Sequence, residues 1–322
     1  MKLLVTGGCG YIGSVVTHQL VEAGHEVVVL DDLSTGFDDN LPDEVTFFKA
    51  DIHDISDVLA PGAGFDGVLH FAGKIEVAES VKRPDLYWHT NVSGTLAVLK
   101  AVRTAQVPRM IFSSTGSIYQ ATDDGLLTEA SPVAPTNPYT VTKLTTDMML
   151  AAEASAFGLG AVSLRYFNAA GAVGHLGERH TPESHLIPIV LRVAAGQQDH
   201  LKLYGDDYPT ADGSTIRDYI HVADLARAHL LALEWIPAGR HEVFNLGNGN
   251  GYTSKQVIET VREVTGRPVP VEVTARRPGD FMRSVAGSDK ARDLLGWTPQ
   301  RPALRDIVRD AWEFHQYAFG LA

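Results

Sequence analysis

A single cysteine, Cys9, occurs among the 322 residues, which excludes an internal disulfide and makes a reducing, cytoplasmic setting the expectation. Long apolar runs are also missing. None is long enough to span a bilayer, and Met1-Lys2-Leu3-Leu4-Val5 is too short for a signal-peptide core before the glycines begin. Basic residues are few, 27 against 39 acidic ones, and the formal charge of -12 argues against nucleic acid or anionic membranes as main partners. No internal repeat, low-complexity tract or metal-ligand pattern stands out. What is present, 44% hydrophobic residues with 8% aromatics, suits a globular chain with a full-sized core in one large or two closely joined domains.

The first motif follows at once. Leu3 to Thr6 reads as a short buried strand, Gly7-Gly8-Cys9-Gly10-Tyr11-Ile12-Gly13 as a glycine turn, and Ser14 to Ala23 as a helix. Gly7, Gly10 and Gly13 form a variant of the dinucleotide fingerprint: a tight turn, a close backbone approach to a pyrophosphate, and helix packed on strand. The helix N-terminus then faces the phosphates. A second strand, His25 to Leu30, ends in Asp31-Asp32, where acids accept the adenosine ribose hydroxyls and repel a 2'-phosphate. No arginine adjoins them in Leu33-Ser34-Thr35-Gly36, so the pattern favours NAD over NADP.

Val45 to Ala50 is a third strand, leading into Asp51-Ile52, where a loop flanks adenine. Val68 to Gly73 is a fourth, and the small residues after Phe71, Ala72 and Gly73, suit either a close cofactor approach or a plain turn. Pro84 to Gln106 reads as one long helix. It carries Asn91, which fits a cofactor contact or a structurally satisfied amide equally well. Arg109 to Phe112 is a fifth strand ending in the hydroxyl cluster Ser113-Ser114-Thr115-Gly116-Ser117, at the strand end where parallel sheets bind ligands.

In Asn137-Pro138-Tyr139-Thr140-Val141-Thr142-Lys143, proline opens a helix and sets Tyr139 and Lys143 four residues apart on one face. A neighbouring ammonium favours the phenolate, which would bring a phenol of ordinary pKa ~10 towards service as a base.

These elements in this order resemble the extended short-chain dehydrogenase/reductase superfamily. Arg165-Tyr166-Phe167-Asn168-Ala169-Ala170-Gly171, Asp207-Tyr208-Pro209-Thr210, Arg217-Asp218-Tyr219-Ile220-His221-Val222 and Arg276-Arg277-Pro278-Gly279-Asp280 narrow the likeness to the UDP-glucose 4-epimerase family, over nearly the whole chain. The resemblance implies that Tyr139 is acid and base on the sugar 4'-hydroxyl, with Thr115 bonded to that hydroxyl. Lys143 would lower the Tyr139 pKa and hold the nicotinamide ribose, with Ser113, Lys74 and Phe167 as cofactor neighbours. On the substrate side it implies Asn168, Arg217 and Arg277 at the diphosphate, and His185, Leu186, Leu203 and Tyr204 by the uridine. Asp280 and Ser284 would border the sugar pocket. Lys74-Ile75-Glu76, Tyr119-Gln120 and Phe281-Met282-Arg283-Ser284 depart from the usual pattern.

The implied fold is α/β: a doubly wound, parallel, Rossmann-type sheet with a smaller, interleaved α/β lobe for the UDP-sugar. Residues 1–172, with return segments near 215–247, would bind NAD and residues 173–322 the substrate. The short strand at Val243 to Gly247 and the strand and helix of Arg217 to Leu233 belong to those returns. Thr253-Ser254 caps a helix to Thr265, and Ala303 to Tyr317 closes the chain with Trp312 and Phe314 in the core. The implied activity is reversible 4-epimerisation of UDP-hexoses through a 4-keto sugar, by a homodimer joined through Pro84 to Gln106 and Asn137 to Phe157. A 4,6-dehydratase or decarboxylase would carry an acid after the active-site threonine, where Gly116-Ser117 stands. A non-catalytic NAD sensor would need no Tyr139/Lys143 pair.

Overall fold

The computed structural model describes residues 1–120, 125–277 and 279–321; Pro278 of the arginine motif lies outside them. Short runs with apolar centres make β1 (Lys2–Thr6), β2 (Glu26–Asp31), β3 (Thr46–Lys49), β4 (Gly67–His70), β5 (Arg109–Thr115) and β6 (Gly160–Tyr166). Between them lie α1 (Tyr11–Glu22), α2 (Val77–Lys82), α3 (Pro84–Tyr87), α4 (Thr95–Thr104) and α5 (Pro138–Phe157). The remainder supplies β7 (Asn168–Ala170), α6 (Leu186–Ala194), β8 (Leu201–Tyr204), β9 (Ile216–Arg217), β10 (Tyr219–His221), α7 (Val222–Trp235) and β11 (His241–Leu246). Last come β12 (Tyr252–Thr253), α8 (Ser254–Thr265), β13 (Val271–Thr274), β14 (Arg283–Ser284), α9 (Asp289–Leu295) and α10 (Leu304–Phe319).

Seven strands form one sheet in the order β11-β6-β5-β4-β1-β2-β3, with every pairing parallel. Successive strand residues point to opposite faces, so Leu3 and Val5 pack with Val15 and Leu20 of α1 and Leu225 and Leu233 of α7, while Leu4 packs with Val98 and Leu99 of α4 and Leu150 of α5. Both faces are covered. Because all seven strands run the same way, Gly7, Asp31, Phe71, Thr115 and Phe167 emerge at one edge, and the order reverses between β1 and β4, where such sheets hold ligands. A separate apolar core forms among α6, α8 and α10 from Val190, Leu191, Val257, Val261, Ile307 and Trp312. Both Trp312 and Phe314 are buried.

Three elements differ from the sequence reading. The first helix begins at Tyr11, inside the glycine motif. The hydroxyl cluster up to Thr115 belongs to the fifth strand itself. The helix expected over Pro84 to Gln106 is interrupted: α3 passes into a π-helical segment, Trp88–Gly94, before α4. The widened turn contains buried Asn91, and the neighbouring Gly94 presses on the core, where a Cβ would meet Ile52 Cδ1 at 2.3 Å.

Candidate active site

The glycine turn divides its work differently among its three positions. Gly7 has φ +72°, and a Cβ there would meet the Ala72 backbone nitrogen at 2.5 Å, so it lets the end of β4 approach β1. A Cβ on Gly13 would meet the Gly7 carbonyl oxygen at 2.2 Å, which seats the first turn of α1 on the loop. Packing within the chain makes no such demand of Gly10, whose Cβ would meet only that carbonyl, at 3.4 Å. Its bare face therefore suits the close approach of a pyrophosphate at the α1 N-terminus, beside Tyr11 and Ile12. The residues fit a dinucleotide.

Asp31 is buried at the end of β2, accepting from Cys9 N at 3.0 Å and Leu33 N at 2.9 Å. Burial raises its pKa, with those two amides working against the rise. Asp32 is exposed and caps Ser34 N at 2.8 Å, with Thr35 also exposed. Gly36 lies so close to the glycine turn that a Cβ would come within 2.8 Å of Cys9, which packs the loop after β2 over the phosphate end. Asp51 caps its own turn through His53 N at 2.8 Å.

Asn91 and Ile52 both have partners within the chain. Asn91 Oδ1 accepts from Lys74 N at 2.8 Å, and its Nδ2 donates to Lys74 O at 3.0 Å and Thr142 Oγ1 at 3.1 Å, so the amide clamps the segment after Gly73 to α5. Its hydrogen-bonding capacity goes to the chain. The Ile52 side chain belongs to the apolar core, leaving only its backbone for a ligand. The Phe71 ring packs on His229, with centroids 4.8 Å apart.

At the catalytic end, Asn137 caps α5 by accepting from Thr140 N at 3.0 Å, which sets the first turn carrying Tyr139. The Tyr139 phenol meets the Thr115 hydroxyl at the end of β5. Lys143, one turn on, is 3% exposed and donates to the Ser113 carbonyl at 2.8 Å, over the Phe112 ring. Ser113 Oγ shares a hydrogen bond with the Tyr166 hydroxyl. Tyr139, Thr115, Lys143 and Ser113 thus come together.

Their protonation departs from the expected pattern. Burial pushes the Tyr139 phenol up to about 12, with the Thr115 hydrogen bond opposing and the Glu76 carboxylate adding to the rise. Burial likewise pushes Lys143 down to about 8, with Asp147 opposing. In the chain alone, desolvation therefore decides the state of the phenol, and the lysine spends one N–H on the Ser113 carbonyl.

On the substrate side, the Arg277 guanidinium stacks on Tyr204, 3.8 Å from the ring centroid, and Arg217 pairs with Asp280. Ser284 on β14 lies in register with Arg217 on β9. Asn168 opens β7 and is tied to the Asp218 carbonyl through its own N–H at 3.1 Å and its amide at 2.7 Å. Leu203 is buried in the core formed by α6, α8 and α10, and Leu186 packs beside that core. His185 precedes α6 and accepts charge support from Glu183, Nδ1 to Oε1 2.8 Å, with Glu178 paired to His180 alongside. Ligand atoms of Glu178, His180 and His185 lie within 4.8 Å of one another, and each imidazole is paired with its own carboxylate.

A family-wide profile described as the NAD dependent epimerase/dehydratase family matches residues 3–247. The chain belongs to this family. It is 52% identical over 317 residues to a UDP-glucose 4-epimerase of Streptomyces lividans, covering 98% of this chain and 96% of that one. A UDP-glucose 4-epimerase of Corynebacterium glutamicum is 50% identical over 314 residues, covering 98% of this chain and 95% of the relative. Among solved structures, a UDP-glucose-4-epimerase from Stenotrophomonas maltophila with bound NAD and formylated UDP-arabinopyranose superposes with TM-score 0.95 at 37% identity, covering 100% of both chains. The family's parallel sheet and glycine turn are those described above.

Several participants escaped the sequence reading. Glu76 acts on both Tyr139 and His185 through its charge; its neighbour Lys74 and the departure at Lys74-Ile75-Glu76 marked the segment but gave Glu76 no role. Asp218 receives Asn248 N at 2.7 Å, Gly249 N at 3.0 Å and Ala286 N at 3.0 Å, knitting the β9–β10 segment to two loops. Asp147, four residues beyond Lys143, had a signal: the same helical spacing that joins Tyr139 to Lys143.

Proposed function

We propose that this chain catalyses the reversible 4-epimerisation of UDP-hexoses, UDP-galactose and UDP-glucose foremost, with tightly held NAD. The observation that carries the reading is the convergence of Tyr139, Thr115 and Lys143 at the sheet edge where the glycine turn opens. Relatives named for this reaction match nearly the whole chain and support it.

NAD would supply the hydride acceptor and donor, and the Gly7–Gly13 turn, Asp31 and Lys143 would hold it. Tyr139 takes the 4'-hydroxyl proton as C4' is oxidised to a ketone and returns it when C4' is reduced on the opposite face. Thr115 keeps that hydroxyl aligned by hydrogen bonding to the same proton path, and Lys143 supplies positive charge against the developing phenolate. Arg217 and Arg277 anchor the diphosphate and leave the hexose free to turn, since equal grip on both halves would slow turnover.

The ring of Phe167 favours epimerisation over 4,6-dehydration. It occupies the space that a side chain at position 116 would take, where a dehydratase-type acid would stand. Retention of the Tyr139/Lys143 pair opposes a mere NAD sensor.

We assign residues 1–172, with returns near 215–247, to NAD and residues 173–322 to the sugar nucleotide, in a cytoplasmic homodimer. Leu96 on α4 and Met148 on α5 are 52% and 66% exposed, which supports an apolar subunit contact there. No helix among the described residues is long and apolar enough to cross a membrane.

Purified protein given UDP-galactose without added NAD should form UDP-glucose, and the reverse, to one common ratio by proton NMR. Unchanged sugar, or a 4-keto-6-deoxy product, overturns the reading.

A further inference from the structure

The face of α5 that carries Tyr139 and Lys143 continues to Asp147, which is 3% exposed. Every hydrogen bond to this carboxylate converges on one oxygen. Oδ2 accepts from Arg165 Nε at 3.0 Å, from Arg165 Nη2 at 2.8 Å and from Ser114 Oγ at 3.3 Å. Oδ1 is buried and without a hydrogen-bond partner in the chain. Arg165 is itself fixed on β6: its Nη1 donates to the Tyr119 hydroxyl at 3.0 Å, which donates to Asn245 Oδ1 at 2.6 Å. Ser114, the second partner, immediately precedes Thr115.

We infer that Asp147 is a positioning residue for the reaction: it sets the charge at Lys143. The inference rests on the role proposed above for Lys143. A buried carboxylate whose only partners were structural would be fully neutralised by Arg165. Here Arg165 engages only Oδ2, and the free Oδ1 leaves negative potential on the helix face one turn from the Lys143 ammonium, which Asp147 favours through its charge.

The surroundings single out Lys143 as the group that responds. From β4, His70 is held neutral by burial, its pKa pushed down to about 3 between Thr6 and Thr95. From β6, burial raises the Tyr166 phenol well above its ordinary range, and Arg165 stays charged. From β11, His241 bonds Ser163 and burial lowers its pKa; from the loop after β5, burial raises Tyr119. Glu76, preceding α2, acts on Tyr139 and His185, and Tyr139 itself stands at about 12. Lys143, at about 8 with Asp147 as its opposing charge, is left to titrate at mildly alkaline pH. Removing the carboxylate lowers it further, so the ammonium is lost at lower pH.

The test compares pH profiles of kcat for UDP-galactose epimerisation in wild type, Asp147→Asn, Asp147→Glu and the double variant Asp147→Asn/Arg165→Gln. The double variant leaves no uncompensated buried charge and is read where the single one does not fold. The alkaline limb should move down by about one unit in Asp147→Asn and in the double variant, a ~tenfold loss at pH 8.5 with KM and the rate at pH 6 within threefold. Asp147→Glu should restore the wild-type limb. A limb unmoved in both, or returned to its wild-type position in the double variant, makes Asp147 only the counter-ion of Arg165 and overturns the inference. The 13Cε resonance of Lys143, assigned with Lys143→Arg, reads the same shift without turnover. Inactive wild type would thus sink the functional reading while this test still stands.

Discussion

The Phe167 ring lies against Gly116, where a Cβ would come within 2.5 Å of the ring carbon Cε2. Gly116 immediately follows Thr115, so the aromatic ring at the end of β6 is held by the absence of a side chain at the end of β5. Gly116→Ala must displace the ring. Because small misplacements at a reacting centre cost heavily, kcat/KM should fall by ~10- to 100-fold while far-UV circular dichroism stays unchanged. Wild-type kinetics in a folded Gly116→Ala protein would remove Phe167 from the reaction geometry.

Tyr139→Phe keeps the ring and removes the ionisable hydroxyl. General acid-base groups contribute ~10²–10⁴-fold, so kcat should drop by that order with little change in thermal stability. A folded variant within threefold of wild type would show that another group moves the proton.

The cofactor prediction concerns the acids at the end of β2. Unfolding the purified protein should release NAD and not NADP, since Asp31 and Asp32 oppose a 2'-phosphate. Mass spectrometry of the released nucleotide checks this, and mainly NADP would contradict the assignment of Asp31 to the ribose.

A pH effect on stability follows at His185. Burial opposes its charge, but the hydrogen-bonded Glu183 and the charges of Glu178 and Glu76 prevail and raise its pKa to about 9. The raised value means that the stabilisation is fully present below the unfolded pKa of ~6.5 and is lost as pH climbs through about 9. The His185 side chain is 39% exposed, so solvent screens the pair and the effect is small. His185→Gln should therefore lower Tm by no more than ~3 °C at pH 6 and by almost nothing at pH 10. An equal offset at both pH values would assign the loss to packing.

Ser284 is proposed to face the sugar's C2 substituent. If a small residue there admits an N-acetyl group, Ser284→Tyr should cut turnover of UDP-N-acetylglucosamine by at least ~tenfold with UDP-galactose much less affected. Loss of both substrates equally, or no wild-type activity on the N-acetyl sugar, would place the gate elsewhere.

Local chemistry made part of this protein legible from its residues alone. The turn of Gly7 and Gly13 between strand and helix is legible because turn geometry depends on a few consecutive residues, and the α8 helix because Thr253 and Gln256 cap it within one turn. The unbroken apolar run of Leu3, Leu4 and Val5 likewise announces a buried strand. Long-range packing decided the rest. Asn91 belongs to Lys74 and Thr142 because a π-helical turn swings it inward, which no helical periodicity reveals. Leu203 faces the core because β8 pairs with β13, 70 residues away in register. The phenol and the ammonium of Tyr139 and Lys143 are adjacent in any helix, but their protonation depends on how much water the strands, Glu76 and Asp147 exclude or replace. Residue spacing determines which groups can meet; burial and distant charge, which exist only once the sheet has closed over them, determine what state they meet in.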